Sequence, residues 1–310
     1  MKKEKISIAL ATYNGAKFLR LQLDSIFQQT YRPLEVIAVD DRSTDGTIEI
    51  LAEYSRNYPL RYIVNESRLG FVKNFERTLS LCEGTYIALA DQDDVWLPKK
   101  IETLVSSIGK SSLVCTDVSL IDENGVIFVE SLQRKLHIPV PGEKNQFYTL
   151  AFLDYIRGCT CLFRRELLLK ALPIPDDAMS HDWWLGMWAT RMQGIRYLPE
   201  ALTFYRQQST NTCGVPRLWR ADVLIRYLFS TKRKEIFRQE RERIRLYLDT
   251  PLFRNNEEKE FLEDLYEHYS SLMHRGLHLK AFRLVFKHRK EIFQNTGKAA
   301  MYGYLLGRLI

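Results

Sequence analysis

Ile6-Ser7-Ile8-Ala9-Leu10-Ala11-Thr12-Tyr13-Asn14-Gly15 and Val36-Ile37-Ala38-Val39-Asp40-Asp41-Arg42-Ser43-Thr44-Asp45-Gly46 share one form: a short apolar run that stops abruptly in a polar, glycine-bearing loop. Tyr62 to Val64 and Tyr86 to Leu89 repeat it, the latter ending in Asp91-Gln92-Asp93-Asp94. Between these strand-like runs, side chains recur at helical spacing. They are Phe18, Leu19, Leu23, Ile26 and Phe27; then Ile48, Leu51, Ala52 and Ser55; then Val72, Phe75, Leu79 and Cys82. A βαβαβαβ order implies a mostly parallel, Rossmann-like sheet flanked by helices on both faces, with right-handed crossovers.

Outward from that core the pattern loosens. Ile101, Leu104, Val105 and Ile108 mark a helix after Pro98, and Leu113 to Thr116 a strand. Residues 130 to 146 read as a polar, proline-containing connection. Cys159 to Phe163 is expected as a strand, Arg165 to Ala171 and Trp183 to Met192 as helices, and Arg196 to Leu198 and Leu202 to Tyr205 as two further strands. A polar segment, Gln207 to Gly214, follows. After Pro216 the chain is helical in character, which sets a boundary between an α/β domain (1–214) and a C-terminal helical appendage (215–310).

The 310 residues suit a main domain with an appendage, since single cores stop growing at roughly 250 to 300 residues. A composition 45% hydrophobic and 27% charged, with 16 Tyr, 16 Phe and 5 Trp, excludes disorder and collagen-like structure. The net charge of +7 is unevenly placed. Residues 1–214 hold 25 basic and 26 acidic side chains, whereas residues 215–310 hold 20 and 12. A basic tail implies an anionic partner such as a membrane surface or a lipid diphosphate. Nucleic acid is not expected, because no recognition motif accompanies the charge.

Five cysteines (Cys82, Cys115, Cys159, Cys161, Cys213) without CxxC or zinc-finger spacing read as reduced thiols of a cytoplasmic protein. Met1-Lys2-Lys3-Glu4-Lys5 runs into a strand without a signal-peptide segment. No apolar run reaches the roughly 18 residues that span a bilayer. Membrane contact is therefore expected to be peripheral, on the inner face.

In open parallel sheets, ligands bind at the carboxyl ends of the strands. Several carboxylates then converge on one edge: Asp40, Asp41, Asp45, Asp91, Asp93 and Asp94. Two unit charges about 4 Å apart cost roughly 4 kcal/mol at an effective dielectric near 20. Such a cluster calls for cations, protons or donors, and Mg²⁺ or Mn²⁺ bridging to a phosphate is the economical answer. Alternatively each Asp caps the following helix or builds an Asx-turn. No GxGxxG follows the first strand, and Gly109-Lys110-Ser111 lacks the rest of a P-loop, so those nucleotide sites are excluded.

Ala11-Thr12-Tyr13-Asn14-Gly15, Val39-Asp40-Asp41-Arg42-Ser43-Thr44-Asp45-Gly46-Thr47, Asp91-Gln92-Asp93-Asp94-Val95-Trp96 and His181-Asp182-Trp183-Trp184, in this order, resemble a bacterial family 2 glycosyltransferase. The resemblance covers about residues 5–214 and looks most like rhamnosyltransferase-type members. It implies a GT-A fold, a UDP- or dTDP-sugar donor, a divalent cation (Mn²⁺ or Mg²⁺) and inversion at the anomeric carbon. The acceptor implied is a saccharide or lipid-linked saccharide of a cell-surface polysaccharide.

By the same resemblance, Tyr13 and Asp41 match the positions that hold the pyrimidine base, with Thr12 beside them. Asp91 matches the ribose-side carboxylate of the DxD motif, Asp93 the metal ligand, and Asp182 the base that deprotonates the acceptor. Arg68 is a candidate contact to donor phosphates, Trp183 to the acceptor and Arg206 to a phosphate. Where many relatives read Tyr-Arg-x-His, Gln208 replaces the histidine. A rival class is a nucleotide-sugar-binding or membrane-adaptor protein that keeps the fold without turnover; the set Asp41, Asp91, Asp93 and Asp182 argues against it. In the tail, Ala221, Leu224, Ile225 and Leu228 form an apolar face among Arg217, Arg220 and Arg226. It suits either an anionic membrane or packing on protein, including a second copy.

Overall fold

Leu10 lies beside Ala38 and Ala90, so the first strand has parallel neighbours on both sides, as the βα alternation requires. In this computed structural model the strands are β1 (Ile6–Thr12), β2 (Leu34–Asp40), β3 (Leu60–Val64) and β4 (Tyr86–Ala90). Helices α1 (Ala16–Phe27), α2 (Thr47–Asn57) and α3 (Phe71–Ser80) connect them. The structure describes residues 3–136, 138, 142, 146–153, 155–208, 231–250, 252–272 and 287–292.

The remaining strands are β5 (Val95–Trp96), β6 (Leu113–Ile121), β7 (Ile127–Val129), β8 (Leu162–Arg164) and β9 (Ile195–Arg206). Among the described residues the sheet order is β3-β2-β1-β4-β8-β6-β9-β5, with β7 paired to β6. β8 runs antiparallel to β4 and β6, and β9 runs parallel to β6 and antiparallel to β5. An α/β, mostly parallel sheet flanked by helices is thus the architecture of this part of the chain. Its core is the face formed by Ile6, Ile8, Leu10, Val36 and Ala38 with Leu19, Leu23 and Ile26 of α1.

Several local expectations are corrected. The buried face of α2 is Thr47, Ile50, Leu51 and Tyr54, not the face through Ile48 and Ser55. Tyr54 turns that face: its ring stacks with Tyr58, while its hydroxyl donates to Asp24 at 2.5 Å. Gly158–Thr160 is a 3-10 turn, closed by N–H donation from Thr160 to Arg157 O and from Cys161 to Gly158 O, so the strand begins only at Leu162. The two strands expected between Arg196 and Tyr205 are one. Thr116 pairs with Leu198 and Asp117 with Ala201, so Pro199 and Glu200 bulge out of the ladder, where a proline lacking N–H is tolerated. The connection at 130–146 contains a short helix, α5 (Leu132–Lys135), and leads into a second, α6 (Gln146–Phe152).

The chain divides into two compact units, residues 1–136 with 155–208, and residues 137–154 with 209–310. The second contains α6 and the helices Thr231–Asp249 and Asn256–Leu272. Phe237, Ile244, Tyr247, Phe261, Leu262, Leu265 and Tyr269 are buried there. The expected boundary at 214/215 and the apolar face at Ala221, Leu224, Ile225 and Leu228 lie outside the described residues. Among the described residues no helix is long and apolar enough to cross a membrane.

Candidate functional site

Register places the site. Thr12 pairs with Asp40, and Asp40 with Val64, so the chain leaves β1, β2 and β3 at one edge, and Ala90 ends β4 beside Leu10. Tyr13, Asp41, Asn65 and Asp91 are the first residues beyond those strands. They emerge together because parallel strands all point the same way.

Tyr13 is held by a two-point amide clamp. Its N–H donates to Gln92 Oε1 at 2.8 Å, and Gln92 Nε2 donates to its carbonyl at 2.9 Å. Gly15 makes this possible, since a Cβ there would overlap Gln92 Oε1. Asn14, at φ 48°, adopts the left-handed conformation that Asn tolerates, and its side chain accepts from Thr44 N–H at 2.8 Å. The Arg68 guanidinium lies 4.0 Å over the Tyr13 ring. Thr12 and Asp41 also have partners within the fold. The buried Thr12 hydroxyl donates to Asp40 at 2.8 Å. The Asp41 carboxylate accepts from Leu69 N–H at 2.7 Å, Gly70 N–H at 2.9 Å and Asn65 Nδ2 at 2.8 Å. Asp41 thereby fixes the loop that carries Arg68 and opens α3.

The segment after β4 is held from below. Trp96 N–H donates to Ser25, and Gln29 of the α1 terminus binds Leu97 O and Ile101 N–H. Asp91 and Asp93 are half-buried, whereas Asp94 is 0% exposed. Burial, reinforced by the charges of Asp93 and Asp182, pushes the Asp91 carboxyl up to about 7. Burial also raises Asp93, opposed by Gln208, whose Nε2 donates to Asp93 Oδ2 at 2.6 Å. Asp94 is raised well above the usual carboxylate range by burial and by Asp91 and Asp93. Its Oδ1 accepts from Arg206 N–H at 3.1 Å.

Two residues that the motifs did not single out, Lys100 and Gly158, complete this floor. Lys100, 0% exposed, opens α4 (Lys100–Ser107). Its ammonium donates to Cys159 O, lies 3.6 Å from the Trp96 ring centre, and is attracted by Asp91 and Asp94; burial lowers it to about 8. Asp91, Asp94 and Cys159 offer ligand atoms within 4.8 Å of one another, but this ammonium already supplies a positive charge to them. The signal for Lys100 was its place on the apolar stripe with Ile101, Leu104 and Ile108. Gly158 donates its N–H to Asp182 Oδ2 at 2.8 Å.

After the short helix α7 (Leu168–Ala171), Asp182 stands in the first turn of α8 (His181–Arg191). Its other oxygen accepts from Trp183 N–H at 2.8 Å, and the group is half-buried. His181 is buried and stacked on Phe75 of α3 at 3.8 Å, and burial lowers its pKa. Trp183 is 8% exposed, so most of its ring belongs to the packing. Trp184 donates to Ala171 O at 2.7 Å. Arg206, expected at a phosphate, is 2% exposed. Its guanidinium donates to the carbonyls of Asp93, Asp122 and Glu123 at 2.8, 2.9 and 3.1 Å and lies 4.3 Å over Phe18. It ties Asp93 to a neighbouring turn. Cys159 and Cys161 are buried, as packing requires, though on a turn and not a common strand face.

The sheet edge thus carries Tyr13 and an acidic floor on which the charge of Asp182 acts, and comparison with known proteins supplies the family. The chain belongs to glycosyl transferase family 2, whose model matches residues 7–172. An uncharacterized protein of Mycobacterium tuberculosis is 31% identical over 215 residues, covering 66% of this chain and 59% of that one. The chain thus spans about 59% of the length of its mycobacterial relatives. The dTDP-rhamnosyl transferase RfbG of Shigella flexneri is 28% identical over 224 residues, covering 66% of this chain and 73% of the relative. Among solved structures, TarS 1–349 of S. aureus in complex with UDP-GlcNAc aligns with a TM-score of 0.60 at 17% identity, over 98% of this chain and 81% of that one. The mannosyltransferase PcManGT of Pyrobaculum calidifontis, in complex with GDP-Man and Mn²⁺, aligns at 0.59 and 17%, over 99% and 80%. These structural likenesses show the GT-A fold.

Proposed function

We propose that the chain is an inverting, divalent-cation-dependent glycosyltransferase that moves a sugar from a UDP- or dTDP-donor to a hydroxyl of a growing bacterial surface polysaccharide or lipid-linked saccharide. The observation that carries this reading is the convergence of Asp91, Asp93 and Asp182, residues far apart in the chain: the charges of Asp93 and Asp182 both act on Asp91 at the sheet edge where Tyr13 is clamped. The name of the Shigella relative favours dTDP-rhamnose as donor.

The donor set fits a hard cation: Asp93 offers oxygen ligands only, in a cluster whose carboxyls are raised by burial and, at Asp91, also by the charges of Asp93 and Asp182. A divalent cation held by Asp93 would supply charge neutralisation to the nucleoside diphosphate leaving group. The chain's own residues do the rest. Tyr13 presents its ring to the pyrimidine and Asp41 a carboxylate to its imide N–H, while Thr12 holds the end of β1. Asp91 receives the ribose. Arg68, poised at Tyr13, contacts phosphate, and Arg206 positions Asp93 through its carbonyl. Asp182 takes the proton from the acceptor hydroxyl as that oxygen attacks the anomeric carbon; the glycosidic bond to phosphate breaks in the same step. Trp183 borders the acceptor. The basic tail is proposed to meet an anionic membrane surface from the cytoplasmic side.

Two variants test the assignment. Asp182→Asn is expected to lower transfer by about 10² to 10⁴-fold with donor binding retained. Asp93→Asn is expected to abolish the cation-dependent part of donor binding. A thermal-shift panel of UDP- and dTDP-sugars with and without Mn²⁺ reads nucleotide, sugar and cation together; unchanged transfer in Asp182→Asn refutes the base.

A further inference from the structure

We propose that Gln208 is a positioning residue for Asp93, and that it confines the cation site to hard, oxygen-binding ions. The inference rests on the cation reading above and extends it to this chain's own choice of ion. Gln208 stands two residues beyond the end of β9, and its amide nitrogen donates to Asp93 Oδ2 at 2.6 Å. β9 is anchored there by Arg206, whose backbone N–H meets Asp94 and whose guanidinium meets Asp93 O. The backbone that carries Gln208 is therefore fixed relative to Asp93.

The chemistry follows from what an amide offers. An amide nitrogen cannot ligate a cation but can donate a hydrogen bond to a carboxylate, which fixes the rotamer of Asp93 and directs its remaining oxygen. Supporting partners of this kind are typically worth 10- to 100-fold in metal affinity. An imidazole at the same place would offer a nitrogen ligand, which suits Ni²⁺, Co²⁺ or Zn²⁺ better than Mg²⁺. With Gln208 the set stays one of hard oxygen donors.

The test is equilibrium binding of Mn²⁺ to the full chain in the presence of UDP and, separately, dTDP, followed by the electron paramagnetic resonance signal of free Mn²⁺. Competition by Mg²⁺ and Ni²⁺ is read in the same way, without turnover. Gln208→Leu and Gln208→Ala are expected to weaken Mn²⁺ binding at least tenfold while circular dichroism is unchanged. Gln208→His is expected to keep Mn²⁺ binding and to make Ni²⁺ at least tenfold more competitive against Mg²⁺. Wild-type affinity in both Gln208→Leu and Gln208→Ala, with Asp93→Asn impaired, overturns the positioning role while leaving the cation reading intact. An unshifted Ni²⁺ preference in Gln208→His overturns the selectivity claim. Failure of the wild-type chain to bind Mn²⁺ with either nucleotide overturns the cation reading itself, and this inference with it.

Discussion

Gly15 and Gly84 are both closely approached, but by different kinds of atom, and their substitutions should part accordingly. At Gly15 the added Cβ meets only the end of the Gln92 side chain, which can swing away at the cost of its bonds to Tyr13. Gly15→Ala is therefore expected to raise donor KM several-fold with little change in melting temperature. At Gly84 the Cβ meets the backbone of Ser7 and Lys5 at 2.6 and 2.8 Å, so Gly84→Ala should cost about 1–3 kcal/mol, read by chemical denaturation. Charge gives a second residue-scale prediction. With Asp91 pushed from 3.8 to about 7, the folded chain keeps a proton that the unfolded chain releases, so stability falls as pH rises through that window. Lys100, lowered from 10.5 to about 8, contributes the opposite slope above pH 8. In the cation-free protein Asp91→Asn should match the wild type only below about pH 4, where folded and unfolded chains both keep the Asp91 proton, and melt higher at pH 7–8; identical melting curves at pH 8 would refute the frustrated cluster. Tyr13, Asp41 and Asp91 are legible in the sequence as strand-end residues, because parallel register alone brings them to one edge. The partners of Gln92, Lys100 and Gln208 are not, because each is met only through a fold that joins residues 59 to 115 positions apart.

Helix α3 links the two halves of the proposed site. Its first turn is fixed by Asp41 through Leu69 and Gly70, while Phe75 stacks on His181, the neighbour of Asp182. Its outer face latches the segment leading into α8. Ile174 N–H donates to Glu76 at 3.0 Å, and Lys73 donates to Ile174 O at 2.6 Å while pairing with Glu76 and Asp176. Glu76→Ala leaves the Ile174 N–H without its carboxylate and leaves Lys73 with only Ile174 O and Asp176. Proteolysis between 172 and 180 should then accelerate, and kcat fall with donor affinity kept. Equal loss of donor affinity would place the effect in α3 itself. The amphipathic spacing of α1 and the apolar runs of β1, β2 and β4 make those elements legible, since one buried face dictates one period. α3 is harder to read, because Asn74 and Thr78 are buried on its packed face. Asn74 donates to Val39 O and Thr78 to the helix's own backbone, so polar residues do the packing there. The short strands β5 and β7 escape prediction for another reason: two or three residues carry no period, and pairing with β9 and β6 defines them.

At the scale of the whole molecule, the basic surplus of the last third is more localised than its total suggests. The helix Thr231–Asp249 carries seven basic and four acidic side chains, and Asn256–Leu272 one basic and six acidic. Residues 273–310 hold eight basic against one acidic. In the first helix Arg238, Arg243 and Arg245 pair with Glu235, Glu240 and Asp249, and apolar side chains of both helices are buried. The described arginines of the first helix are thus paired along it, and the proposed membrane contact is assigned to residues 273–310, the stretch with the largest basic excess. Each Lys or Arg near an anionic bilayer contributes about 1 kcal/mol, screened within a Debye length of about 10 Å at 0.1 M salt. The chain is expected to float with phosphatidylglycerol vesicles at low salt and to be released at 0.5 M. Reversing Arg275, Lys280, Arg283 and Lys298 to Glu should abolish flotation, whereas reversing Arg238 and Arg245 should not. Equal flotation with neutral vesicles, or a stronger loss from the Arg238 and Arg245 pair, would assign the basic stretch to contacts with protein.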